Sequence, residues 1–178
     1  SAGYKPQVIA FDYKPSASTN IQTPNTLFTG TILEETNNNK LYAYFGIPYA
    51  QPPVGELRWK APRDVNEYEE TRLALERPNR CPQLAGTIDS IEEGFTVGEI
   101  IGSEDCLYLN IFVSEKAKNS ESKLPVMVWI HGGSNVSGYG ADVIYTDGDF
   151  ALDHEIILVT INYRLGPFGW FYNSAINI

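Results

Sequence analysis

Two short runs, Pro125 to His131 and Ile156 to Asn162, constrain the fold more than any other feature of the chain. Each is almost continuously apolar and rich in Val and Ile, the pattern of a strand covered on both faces. The connection between them has room for a crossover helix within Asp147 to His154, so parallel pairing is expected rather than a hairpin. The implied class is α/β.

Composition narrows the rest. With 178 residues, 43% hydrophobic and 20% charged, the chain has the makings of one packed domain. Its net charge of −9 argues against a nucleic-acid or anionic-membrane partner. The longest apolar runs fall far short of the ~20 residues that a membrane span needs. Cys81 and Cys106 are too few for a zinc cluster and form no CxxC. They read either as one disulfide, natural in a secreted protein and worth roughly 3 to 4 kcal/mol by chain entropy, or as two free buried thiols. No metal or organic cofactor is indicated. The start, Ser1-Ala2-Gly3, lacks an initiator Met and a signal core, so a processed or trimmed N-terminus is expected.

Residues 1–25, rich in Pro, Ser, Thr and Asn, read as an extended arm, with one domain over residues 26–178. Leu27 to Glu35 and Leu41 to Ile47 flank the turn Thr36-Asn37-Asn38-Asn39 and predict a β-hairpin. Pro48, Pro52, Pro53, Gly55 and Pro62 then impose a rigid irregular segment. Asn66 to Glu76 is a short helix or a solvated loop. Gly86, Gly94, Gly98 and Gly102 punctuate a long loop that the cysteine pair could pin. Leu107 to Val113 reads as a strand and Glu115 to Lys123 as a polar surface turn. Trp59, Trp129 and Trp170 are most simply core aromatics.

The chemistry concentrates after the first apolar run, at His131-Gly132-Gly133-Ser134, followed by Gly138 and Gly140. Glycines beyond a buried parallel strand leave backbone N–H groups free to converge on a ligand at the carboxyl edge of the sheet. The segment is an anion or oxyanion cradle, or a glycine-rich turn that only reverses direction. A phosphate loop is disfavoured, since neither Gly-Lys-Ser nor GxGxxG occurs. His131 reads as a loop-orienting residue and His154 as a surface or helix-end residue.

Ser103-Glu104-Asp105-Cys106-Leu107-Tyr108-Leu109-Asn110-Ile111-Phe112 resembles the second signature of the type-B carboxylesterase and cholinesterase family. Phe45 to Ala50 with Pro52 to Gly55, Leu57-Arg58-Trp59, Pro125 to Gly133, and Ile161 to Gly166 through Phe168-Gly169 agree in order, covering about Thr29 to Phe171. The resemblance implies the N-terminal part of an α/β-hydrolase fold: a β-hairpin followed by strands of a mixed, mostly parallel sheet. It implies ester substrates and a serine, acid and histidine triad. It also implies backbone N–H donors at Gly133 and Ser134 for the oxyanion, with His131 and Gly132 supporting the loop. Cys81 and Cys106 match the family's first disulfide, and Arg58 and Glu104 match an ion pair. Arg164 has only a structural reading, at the edge of the core with a carboxylate still to be found.

Two departures matter. The loop reads HGGS where HGGG is usual, and a serine tolerates unusual backbone angles less well than glycine. No GxSxG elbow occurs, since Gly132-Gly133-Ser134-Asn135-Val136 ends in valine, so Ser134 is a poor nucleophile candidate. The resemblance therefore places the triad downstream and makes this chain the oxyanion-loop portion of an esterase for small-molecule esters, expected to be secreted or on the extracellular face. The missing C-terminal portion of the fold is then its structural partner. Ile156 to Asn162 would lack a neighbouring strand, so the segment alone is expected to aggregate, to pair with a missing companion, or to be a fragment of a longer parent. The alternative is a non-catalytic adhesion protein similar to neuroligins, whose loop also reads HGGS. Asn135-Val136-Ser137 is a glycosylation sequon inside the loop, so either it goes unused or the loop is not a working site. No tryptophan lies between the cysteines, which disfavours a choline site.

Overall fold

The computed structural model describes residues 19–36, 39–120, 123–146 and 149–174. Strand β1 (Asn20–Gln22) pairs antiparallel with β2 (Leu27–Thr29), so the extended arm expected over residues 1–25 ends in a docked strand, its first 18 residues lying outside the described ones. Buried Thr19 closes this end: its Oγ1 donates to Gly30 O at 2.9 Å, and the Gly30 N–H donates back to Thr19 O at 3.0 Å.

Gly30 also splits the run read as one strand from Leu27 to Glu35. A Cβ there would collide with Ala43 O and the Tyr44 ring, so the chain passes as bare backbone before β3 (Thr31–Thr36) begins. β3 and β4 (Asn39–Pro48) form the expected hairpin, with a register shift between Ile32 and Glu34, and Asn37 and Asn38 of its turn lie outside the described residues. The proline-rich segment contains one turn of 3-10 helix, Gly55–Leu57. Asn66 to Glu76 is irregular apart from β5 (Arg72–Leu73), which lies parallel to β2.

Between the cysteines, β6 (Gln83–Leu84) pairs with β7 (Ile100–Ile101) around helix α1 (Thr87–Glu93). Two devices pin this segment. The Cys81–Cys106 disulfide closes its ends. Buried Arg80 reaches Asp89 at 3.1 Å and, more closely still, Glu93, both on α1, while its guanidinium sits 4.1 Å from the Tyr139 ring centroid. The buried guanidinium thus has two carboxylates to compensate it, and keeps one if the other is removed.

β8 (Tyr108–Ser114) leads into α2 (Glu115–Lys118), capped by Ser114 Oγ, which accepts the Ala117 N–H at 3.1 Å. The segment expected as a polar turn is thus a helical turn that buries Ala117. β9 (Val126–Ile130), α3 (Val143–Thr146), α4 (Asp149–Asp153), β10 (Ile157–Ile161) and α5 (Gly166–Trp170) complete the chain.

The main sheet has the order β3-β4-β8-β10-β9. β10 runs antiparallel to β8, from Ile157↔Val113 to Ile161↔Leu109, and parallel to β9, from Ile157↔Val126 to Ile161↔Ile130. The period-two alternation of β4 puts Leu41, Ala43 and Phe45 with Phe112, Ala151 and Leu158 on one face, and Tyr42 and Tyr44 with Phe28 and Val113 on the other. Phe45 and Phe112 meet edge to face at 5.5 Å.

This order corrects two expectations. Ile156 to Asn162 is not the open strand, because β10 is inserted between β8 and β9 and is bonded on both sides. Nor is Pro125 to His131 buried on both faces: β9 is the edge, and its five residues are 42 to 62% exposed. Strand order departs from chain order, so the later strand is interior and the earlier one peripheral. Trp59, Trp129 and Trp170 are likewise exposed, at 37, 42 and 60%, rather than in the core.

A bare apolar edge is a template for pairing. The 178-residue chain by itself should run as a dimer or larger species in size exclusion with light scattering, and Val128→Lys should shift it toward monomer. A wild-type chain that stays monomeric contradicts the assignment of β9 as the sticky edge.

Candidate functional site

β9 ends at Ile130, and the next ten residues, 131–140, form a loop at the carboxyl end of the parallel β9–β10 pair. That is the position at which open α/β sheets hold ligands. Residues 132–136 of the loop are exposed, whereas His131, Tyr139 and Gly140 are buried and anchor its two ends.

His131 stacks on Tyr163, with centroids 4.4 Å apart and planes 18° from parallel, and the Tyr163 hydroxyl donates to His131 O at 2.9 Å. The His131 Nδ1 lies 2.8 Å from Gly132 O. A carbonyl only accepts, so Nδ1 carries the proton in that bond. Burial pushes the imidazole below its ordinary pKa, assisted by Arg80 and opposed by the Gly132 bond and by Asp142. The ring is a neutral support for the loop.

From there the backbone turns through three successive left-handed residues, Gly133 at φ 113°, Ser134 at 54° and Asn135 at 62°. A Cβ on Gly133 would collide with Ser137 O, and one on Gly138, at φ 124°, with the His131 ring and Gly132 O. Both positions require glycine. Gly132, by contrast, has open space around it. The Val136 and Ser137 N–H groups both donate to Gly133 O, at 3.0 and 3.1 Å, and the Gly166 N–H at the start of α5 donates to Asn135 O at 2.7 Å. Among the described residues, no hydrogen bond uses the Gly133 or Ser134 N–H. The same holds for Gly132 and Asn135, so the exposed tip carries a run of unspent amide donors that includes those of Gly133 and Ser134. Ser134 occupies the left-handed region, the conformation for which serine is less suited than glycine.

Ser134 has no histidine to activate it, since His131 is turned toward Gly132 O and His154, just beyond α4, packs on Phe150 at 4.6 Å. Arg58 meets Glu104 in a two-pronged pair at 2.5 and 2.6 Å; its side chain, 38% exposed, also faces Trp59 and Phe168. Arg164 corrects the expectation of a carboxylate partner: its Nη1 donates to the backbone carbonyl of Lys60 at 2.9 Å. Asn135, the sequon residue, is exposed on the loop itself. Gln83, which no sequence motif marks, and Asn162, which lies inside the matched Ile161 to Gly166 segment, hold the far end of the loop; the Asn162 Oδ1 accepts the Gly140 N–H at 2.8 Å.

Two outcomes are expected. In the Val128→Lys background, urea unfolding should show Gly133→Ala and Gly138→Ala each losing on the order of 1 to 3 kcal/mol, as forced backbone strain costs, while Gly132→Ala stays within about 0.5 kcal/mol. Equal losses at all three sites would contradict the loop geometry. Separately, the unfolded chain takes up a proton at His131 near pH 6.5, whereas the folded chain does so only at lower pH. The contribution of His131 to stability is thus complete above pH 6.5 and is lost as the pH falls through the folded-state pKa. His131→Gln should flatten the stability profile below that pH; an unchanged profile contradicts a neutral His131.

The carboxylesterase family model matches residues 17–176. The para-nitrobenzyl esterase of Bacillus subtilis (strain 168) is 41% identical over 143 residues, 80% of this chain and 28% of that protein. Venom carboxylesterase-6 of Apis mellifera is 40% identical over 155 residues, 84% of this chain and 26% of its own length. A solved PNB esterase structure superposes with a TM-score of 0.73 at 37% identity, over 89% of this chain and 30% of that one. The chain spans between a quarter and a third of these relatives. With an α/β-hydrolase framework shared with the solved esterases and a family match along nearly its whole length, the chain belongs to the carboxylesterase family.

Proposed function

We propose that this chain supplies the oxyanion-binding loop of a carboxylic ester hydrolase, while the nucleophile, acid and base come from residues outside it. The observation that carries this reading is the pair of unspent N–H groups at Gly133 and Ser134, set by left-handed backbone at the carboxyl edge of β9. When a hydroxyl adds to an ester carbonyl, the carbonyl oxygen becomes negative. Preorganised amides at hydrogen-bond distance stabilise that oxygen without reorganising. Collapse of the tetrahedral species expels the alcohol and leaves an acyl-enzyme, which water then hydrolyses. Uncharged small-molecule esters fit a chain of net charge −9 better than anionic ones do.

In the same reading, the exposed edge of β9 receives the next strand of the complete sheet, which brings the nucleophile beside the loop. The disulfide suits a secreted protein, and a similar protein is a venom carboxylesterase. The loop works only if Asn135 is left without a glycan, because a sugar at its tip would fill the space an ester needs.

Hydrolysis of p-nitrophenyl acetate by the full-length protein tests the proposal. Gly133→Ala keeps the N–H but, through the clash of its Cβ with Ser137 O, displaces it, and should lower kcat about 10²- to 10³-fold, as the loss of one oxyanion donor does. A full-length protein that is inactive, with a glycan on Asn135 by mass spectrometry, would instead favour a non-catalytic binding protein of the same fold.

A further inference from the structure

We propose that Gln83, inside the disulfide-closed segment, is a positioning residue for ester hydrolysis: its side-chain amide holds Gly138 and so fixes the loop that presents the Gly133 and Ser134 N–H groups. This rests on the oxyanion reading given above.

Gln83 is buried, 55 residues away in sequence from its partner, and its carboxamide is fully engaged. Its Oε1 accepts the Gly138 N–H at 2.8 Å, and its Nε2 donates to Gly138 O at 2.9 Å and to Cys81 O at 3.0 Å. The first two bonds grip both polar groups of a single residue, as a neighbouring strand would, and so fix its rotation as well as its position. A buried glutamine is expensive unless every polar atom is matched, and here each one is.

Gly138 is where such a grip matters. Its left-handed backbone rests against the His131 ring and Gly132 O with no room for a Cβ. Displacement of Gly138 would therefore release the contact that seats His131 and its bond to Gly132. Between these two ends lie the turn bonds from Val136 and Ser137 to Gly133 O, the groups that aim the amides. Gln83 in turn is held by β6 pairing, Gln83↔Ile101, and by the disulfide two residues earlier. The cross-linked segment thus acts on the site through one side chain as well as bracing the fold.

The test uses Gln83→Leu and Gln83→Glu in the full-length protein, the second keeping the side-chain size and the acceptor for the Gly138 N–H while abolishing both donations. Expected for each is a fall in kcat on p-nitrophenyl acetate of about 10- to 100-fold with KM changed less than about twofold, the signature of geometry lost in the transition state alone. Affinity for a trifluoromethyl ketone should fall in proportion to kcat/KM. Amide hydrogen exchange should quicken across residues 132–140 and stay unchanged in β8 and β10. Unchanged loop exchange, or faster loop exchange with wild-type kcat, overturns the proposal. Loss of protection in β8 and β10 in both variants also overturns it, by showing a purely structural role. Full activity in Gly133→Ala would defeat the oxyanion reading itself, whereas an impaired Gly133→Ala beside fully active Gln83 variants would defeat only the role of Gln83.

Discussion

The structure depends on β10 satisfying its backbone groups on both sides, against β8 in one direction and β9 in the other. Each buried N–H and C=O of an interior strand must find a partner or cost free energy comparable to a lost hydrogen bond. By taking both neighbours, β10 joins the antiparallel hairpin half of the sheet to its parallel half and fixes where β9 ends. The end of β9 in turn fixes where the glycine-rich loop begins. Asn110 and Thr160, opposite each other on β8 and β10, add a buried side-chain bond at 3.0 Å that locks this register.

The loop shows how a fold holds an exposed backbone tip still without covering it. Its ends are tied by side chains from distant segments: Tyr163 on His131, Gln83 on Gly138, Asn162 on Gly140. Between those ties the conformation is dictated by crowding, since Gly133 and Gly138 leave no space for a side chain. Under the proposed function, amides whose backbone is fixed in this way need not reorganise when charge develops in front of them. The disulfide belongs to the same arrangement, because it anchors the segment that carries Gln83.

Much of this was legible along the chain. The hairpin around Asn37 and Asn38, the strand after Cys106, the parallel pair and the crossover helix follow from alternation, apolar runs and spacing, which are local signals. The glycines after Ile130 marked the loop for the same reason. Burial was less legible. Val126 to Ile130 and the three tryptophans look like core in composition, yet they line an edge or the surface. A residue's own character reports how much apolar area it carries, not which neighbour covers it. The partner of Arg164 was missed on similar grounds: a guanidinium suggests a carboxylate, but a backbone carbonyl of Lys60 lies within reach.

By itself, the sequence determined the class of fold, the family and the segment where backbone donors gather, because strand periodicity, glycine placement and ordered motifs are written in neighbouring residues. Tertiary structure alone decided that β10 lies inside and β9 outside, that Ser134 and Asn135 share the left-handed backbone of Gly133, and that Gln83 reaches Gly138. These are relations between segments tens of residues apart. Only the closing of the sheet and the cross-linked segment brings them within hydrogen-bond distance.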